Sequence, residues 1–228
     1  MPRIARIYAL NYPHHITRRG NNRGTVFFDD EDKKFYLKIL NKYSYQWNFD
    51  IWAYCLMPNH VHILVVPKRE DSLAKGIGGT NLVYTQYINR RYNRNGRLWQ
   101  NRFFSTIVEQ ESYLWAVVRY IERNPIRAGI VERAEDYLWS SAKAHILRVR
   151  DSILTGEKWP PDGQYKSYRE FLSYEEKDKE DSIRKATQTG RPFGSVKFMK
   201  SLERILARDI FPRKVGRPRL TQIRKEKK

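Results

Sequence analysis

Two strongly apolar runs, FDIWAYCLM (49–57) and HVHILVV (60–66), are separated only by Pro58 and Asn59. Each has strand length, and the first is rich in aromatic residues. A Pro-Asn pair between such runs reads as a turn, so the segment predicts an antiparallel hairpin. His60 and His62 interrupt its second arm. An imidazole in an apolar strand still needs hydrogen-bond partners. Positions i and i+2 of a strand point to one face, however, where two imidazoles can serve one cation. The plainer reading is a pair of satisfied structural histidines. The metal reading needs a third ligand, usually a carboxylate, amide or imidazole.

Other elements alternate around this hairpin. HHITRRG (14–20) reads as a strand entering a basic turn. Residues 29–47 read as a helix, with acids in the first turn and Phe35, Ile39, Leu40, Tyr43 and Trp47 at helical spacing. A second helix is predicted over 72–94, its first half weakened by Gly76, Gly78 and Gly79. GRLWQNRFFSTIVE (96–109) reads as a strand, and 111–125 as a third helix closed by Pro125. The order strand–helix–strand–strand–helix–strand predicts an α+β, ferredoxin-like (split βαβ) antiparallel sheet with helices packed on it.

The third helix carries Tyr120 and Asn124, four residues apart and so on one face. Packing beside Leu114, Val117, Val118 and Ile121 would explain the tyrosine. Set against the two histidines, the pair suggests more. Two imidazoles and an amide oxygen can hold a divalent cation that polarises a phosphodiester. A tyrosine oxygen can attack the phosphorus and leave a covalent protein–nucleic-acid ester.

Charge favours that substrate class. Lys and Arg number 44 against 25 Asp and Glu, a formal net charge of +19. Such a field attracts polyanions, nucleic acid above all. A membrane surface is the rival partner, but no basic amphipathic anchor stands out. No apolar run approaches the roughly eighteen residues of a membrane span, and no signal-peptide core follows the N-terminus. Cys55 is the single cysteine, which excludes an intramolecular disulfide and a multi-cysteine zinc site. Cytoplasmic residence is the default expectation.

Two segments read as nucleic-acid contacts. TRRGNNR (17–23) places Arg18, Arg19 and Arg23 around Asn21 and Asn22, forks for phosphate beside amides that can reach base edges. GRLWQNRF (96–103) interleaves Arg97, Gln100 and Arg102 with Trp99 and Phe103, as expected where bases stack and phosphates pair. A solvated hairpin tip and a core strand are the plainer readings, and Trp99 suits the core.

Beyond Trp139 the chain becomes polar. The acidic cluster YEEKDKEDS (174–182) reads as a solvated helix or linker. Residues 184–228 hold 15 Lys and Arg against 3 Asp and Glu, a net +12. They contain an amphipathic helix over 196–210, with Phe198, Leu202, Ile205 and Leu206 on one face. RKVGRPRL (213–220) resembles the Gly-Arg-Pro core of an AT-hook, which would lay Arg217 and Arg219 in a narrow minor groove. TGRPFG (189–194) repeats the tripeptide.

PNHVHILV (58–65) together with YIERNP (120–125) resembles the HUH single-tyrosine, IS200-like transposases. HITRRGNNR (15–23), LWQNRF (98–103) and NPIRAGIV (124–131) resemble the REP-associated tyrosine transposases within that group. The resemblance spans about residues 1–145. It implies that His60-Val61-His62 is the His–hydrophobe–His motif and Tyr120 the nucleophile. The minimal insertion-sequence enzymes carry glutamine four residues after the tyrosine, where this chain has Asn124 as in the REP-associated group. The implied cation is Mg²⁺ or Mn²⁺, and the implied substrate is single-stranded DNA bearing an imperfect, REP-like hairpin with a guide tetranucleotide. A monomer and a homodimer that exchanges tyrosines both fit, in a bacterial, nucleoid-associated setting. The resulting organisation is a 1–145 transposase/nuclease domain, a 146–183 polar linker or helical extension, and a 184–228 basic DNA-binding tail. The competing functions are a domesticated DNA or RNA hairpin binder that no longer cuts, and a metal hydrolase that releases free products.

Overall fold

The hairpin expected at 49–66 forms one side of the sheet in the computed structural model, which describes residues 6–110, 112–156 and 168–211. Strand β2 (Phe49–Met57) pairs antiparallel with β3 (His60–Pro67), from Phe49 opposite Pro67 to Met57 opposite His60. Strand β1 (His14–Arg19) lies on the other side of β3, and β4 (Phe104–Ile107) on the far side of β1. The sheet is four-stranded, antiparallel and ordered β2-β3-β1-β4. Helix α1 (Asp30–Gln46) connects β1 to β2 and α2 (Gly78–Arg91) connects β3 to β4. This is the split βαβ arrangement that the element order predicts.

The pleat sorts the hairpin between two cores. Val61, Ile63 and Val65 pack with Tyr36 and Leu40 of α1 and Tyr84 and Ile88 of α2. Leu64 and Val66 face the opposite way, against Leu114, Val117, Val118 and Ile121 of α3 (Ser112–Glu122). His60 and His62 share the parity of Leu64 and therefore point to the α3 face. Val117, Val118 and Ile121 are fully buried. Each such side chain contributes about 1.5–3 kcal/mol, so a charge at Val118 would detach the helix that carries Tyr120.

Three elements differ from their sequence expectations. The helix expected over 72–94 is a π-helical turn, Ser72–Ile77, running into α2. Its glycines serve close packing: a Cβ on Gly76 would lie 2.4 Å from the Phe49 ring, and one on Gly79 2.8 Å from the Tyr43 ring. The strand expected over 96–109 is paired as β4 only from Phe104 to Ile107. Asn101 takes a left-handed φ of 56° that breaks the extended run, while Leu98 and Trp99 drop into the core. Pro125 does not close the third helix. Asn124 and Pro125 open a short helix α4 (Asn124–Arg127) directly after α3, because a fixed φ and a missing N–H suit a first turn.

The C-terminal third is built onto the sheet. After α5 (Ala142–Leu147) and α6 (Tyr168–Ser173), α7 (Lys177–Thr189) packs on α3, β4 and β1. The expected division between residues 183 and 184 falls inside α7. The acidic cluster is largely solvated, as expected, with residues 177–182 in the mostly exposed first part of α7. Two of its carboxylates turn inward, however: Glu180 is buried and pairs with Arg127, and the half-buried Glu176 pairs with Arg119. Gly190 caps α7 at φ 70°, and Phe193 then exchanges backbone hydrogen bonds with Ile107 and Glu109. The Gly-Arg-Pro of residues 190–192 is thus part of a helix-to-strand connection. Helix α8 (Val196–Leu206) covers Ile7 and Ile107 with Leu202, while Ile205 faces solvent. Among the described residues no helix is long and apolar enough to cross a membrane.

Candidate active site

Because β1 lies beside β3, Thr17 stands opposite His62 and Arg19 opposite His60. Opposed residues share a face, so β1 delivers His15, Thr17 and Arg19 to the side that already carries the two histidines. Helix α3 crosses this face and sets Tyr120 edge-on to both neighbouring rings. Its centroid lies 5.4 Å from His62 and 5.8 Å from His15, with interplanar angles of 82° and 79°. His60 and His62 have ring centroids 5.0 Å apart. Asn124 lines the same cleft as His60, and its Nδ2 donates to the Tyr120 and Ile121 carbonyls.

Thr17, Arg19, His60, His62, Tyr120 and Asn124 line a cleft of about 450 Å³, with His15 buried behind His62. Arg18, Arg19, Arg127 and Arg184 surround it, and none of its described lining residues is acidic. Such a cleft favours a phosphate-bearing ligand. Arg127 is the most connected of the four. Its guanidinium lies 4.7 Å over the Tyr120 ring, donates to Asn124 Oδ1 at 2.6 Å, and pairs with Glu180 at 2.9 Å. Burial lowers this guanidinium's pKa, but Tyr120 and Glu180 more than offset it and the net shift is upward.

The imidazoles are neutral at pH 7. Burial pushes His60 down to about 4, with Arg19 and Arg127 adding to the effect and Asn124 opposing it. Burial likewise takes His15 down to about 3 and His62 well below its ordinary value. His60 Nδ1 lies 2.6 Å from Asn59 Oδ1, and His62 Nδ1 lies 2.9 Å from His15 Nε2. Each ring thus commits Nδ1 to the protein. Neutral imidazoles with an anchored Nδ1 suit a divalent cation. The amide oxygen of Asn124 already accepts from Arg127, but it has a second lone pair. The donor set therefore fits a hard or borderline cation.

The family model described as "Transposase IS200 like" matches residues 7–124. The chain belongs to the IS200-like transposase family. This IS200-like chain is 26% identical to a Haemophilus influenzae protein named as a REP-associated tyrosine transposase, over 148 residues that make up 58% of this chain and 84% of that one. In fold it is similar to a REP-associated tyrosine transposase solved bound to a REP hairpin, with a TM-score of 0.57 and 19% identity over 69% of this chain and 93% of that one.

The cleft of this IS200-like protein gathers His60, His62, Tyr120, Asn124, Arg18, Arg19 and Gln100. Arg97 and Arg102 lie next door with Arg18 and Trp99, in a second basin of about 470 Å³. There Arg18 reaches over the Trp99 ring at 5.4 Å and donates to the Asn101 carbonyl at 3.1 Å. Asn21, Asn22 and Arg23 form an exposed turn outside both basins, with Asn22 and Arg23 at positive φ. Arg217 and Arg219 lie outside the described residues. Sequence reasoning missed His15, Arg127, Arg184, Thr187 and Gln188. His15 shares the strand parity of Thr17, and Arg127 falls three residues after Asn124, so periodicity could have found both. Arg184, Thr187 and Gln188 come from α7, which carries no local signal of the site.

Proposed function

We propose that this protein is a single-tyrosine DNA endonuclease and strand transferase acting on hairpin-bearing single-stranded DNA. The observation that carries the reading is Tyr120, edge-on to His62, in one basic cleft with His60 and Asn124. The Tyr120 oxygen bonds to phosphorus as the ester bond to the leaving nucleoside oxygen breaks. The phenol proton is lost and the leaving oxygen gains one, so the strand end stays joined to the protein. A hydroxyl on another strand then takes the phosphoryl group from Tyr120, which completes transfer without hydrolysis. His60, His62 and Asn124 would hold Mg²⁺ or Mn²⁺, which when bound supplies Lewis-acid polarisation of the scissile phosphate. Arg127 supports the same charge from the Tyr120 side.

The substrate reading draws on the relative solved with a REP hairpin and on the two adjoining basic basins. Phosphates suit Arg18, Arg19 and Arg184 in the first. In the second, Arg97 and Arg102 suit further phosphates along a bend in the backbone, while Trp99, buried in the core beneath Arg18, supports the basin's floor. The test is incubation of the protein with labelled hairpin oligonucleotides and Mn²⁺, followed by a denaturing gel. A protein–DNA adduct that Tyr120→Phe abolishes is expected. Hairpin binding with no adduct would favour a non-cutting binder, and free cleaved strands without adduct would favour a hydrolase.

A further inference from the structure

A buried line of hydrogen bonds runs from α7 to His62. Thr187 Oγ1 lies 2.8 Å from the Ile183 carbonyl, one turn back on α7, and 3.2 Å from His15 Nδ1. His15 Nε2 lies 2.9 Å from His62 Nδ1. Thr187, His15 and His62 are 7%, 1% and 5% exposed, so water does not compete freely for these atoms.

The polarity of the line follows from counting protons. A carbonyl only accepts, and a neutral imidazole carries one N–H. If Thr187 donates to Ile183, its oxygen accepts from His15 Nδ1–H. His15 Nε2 then accepts from His62 Nδ1–H, and all three contacts become hydrogen bonds. In the reverse order Thr187 donates to His15 and forfeits Ile183, which leaves two. The reverse also turns His62 Nε2 into a donor in a cleft already surrounded by guanidinium donors. The first order is favoured on both grounds, because a buried polar contact left unmade is costly.

We propose that His15 and Thr187 are positioning residues that hold His62 as its Nδ1–H tautomer, keeping the Nε2 lone pair free as a ligand atom. The consequence for metal binding rests on the function proposed above; the hydrogen-bond order does not. Thr187 lies beyond residues 7–124, the segment that matches the family model. A helix outside that segment therefore selects the ligand atom of a residue within it.

Imidazole ¹⁵N shifts of the full chain at neutral pH read the tautomers directly, with no metal present. Wild type is expected to show Nδ1–H at both His15 and His62. Thr187→Val keeps the shape but removes the acceptor, so His62 should lose this preference. Thr187→Ser should retain it. Titration calorimetry should then show Mn²⁺ affinity about tenfold weaker in Thr187→Val and near wild type in Thr187→Ser, the lower end of the effect of outer-shell partners. An Nε2–H tautomer at His62 in wild type, or an unchanged tautomer in Thr187→Val, overturns the proposal. Expected tautomers in a wild-type protein that binds no Mn²⁺ would uphold the hydrogen-bond order and overturn the metal reading instead.

Discussion

Glu180 of α7 grips Arg127 of α4 at 2.9 Å, and the same guanidinium lies over the Tyr120 ring. The pair ties α7 to α4, the short helix that directly follows the one carrying Tyr120. Glu180→Gln removes the charge but keeps the side chain's volume. The loss is expected to be about 1–3 kcal/mol of stability, as for a hydrogen bond to a charged group, with slower adduct formation. Urea unfolding and adduct time courses check this. Equal stability and equal rate would mean that the pair neither braces the fold nor orients Arg127.

Tyr120→Phe is expected to abolish the covalent adduct and leave hairpin affinity nearly unchanged. Only an oxygen is removed, and the ring keeps its edge-on contacts with His15 and His62. A residual adduct would relocate the nucleophile. Tyr113 is poorly placed to replace it, since its ring packs against Phe193.

His60→Ala and His62→Ala are each expected to lose Mn²⁺ binding and cleavage, with Asn124→Ala milder. Imidazole is the stronger ligand, and water can replace an amide oxygen. Calorimetry on the three variants orders them. Undiminished Mn²⁺ affinity in both histidine variants would reduce His60 and His62 to structural residues.

Stability is expected to fall on acidification. His14 is buried, hydrogen-bonded to Ser105 and the Ala9 carbonyl, and pushed down to about 4 by burial. His15 is lower, at about 3. Their ordinary value is 6.5, so between pH 6.5 and 4 the unfolded chain takes up protons that the folded chain refuses. Each such histidine costs up to about 1.4 kcal/mol per pH unit in that window. Melting temperatures at pH 7 and pH 5 test the sign, and a flat profile would contradict it.

Residues 212–228 carry eight Lys and Arg against one Glu. Removing them is expected to weaken DNA affinity and flatten its salt dependence, by about 0.7 in log–log slope per lost phosphate contact on single strands. Cleavage of saturating hairpin should survive. Ending the chain at residue 183 should instead abolish cleavage, because Arg184, Thr187 and Gln188 of the cleft go with it. Isotherms at several salt concentrations separate the two truncations; an unchanged slope after loss of 212–228 would remove the tail from DNA binding.

The sequence by itself determined what depends on neighbours a few residues apart. Strand periodicity put His60 and His62 on one face, and helical spacing put Asn124 within reach of Tyr120. Alternating elements implied the split βαβ sheet. Tertiary structure decided the rest, because the deciding contacts join distant residues. His15 meets His62 across 47 positions and Thr187 meets His15 across 172. Within the mostly solvated acidic run at 174–182, nothing local marked Glu176 and Glu180 as the inward-facing pair, because their counter-charges, Arg119 and Arg127, lie on helices that only folding brings opposite them. Local patterns record which way a side chain points; they carry no record of which distant group will satisfy it.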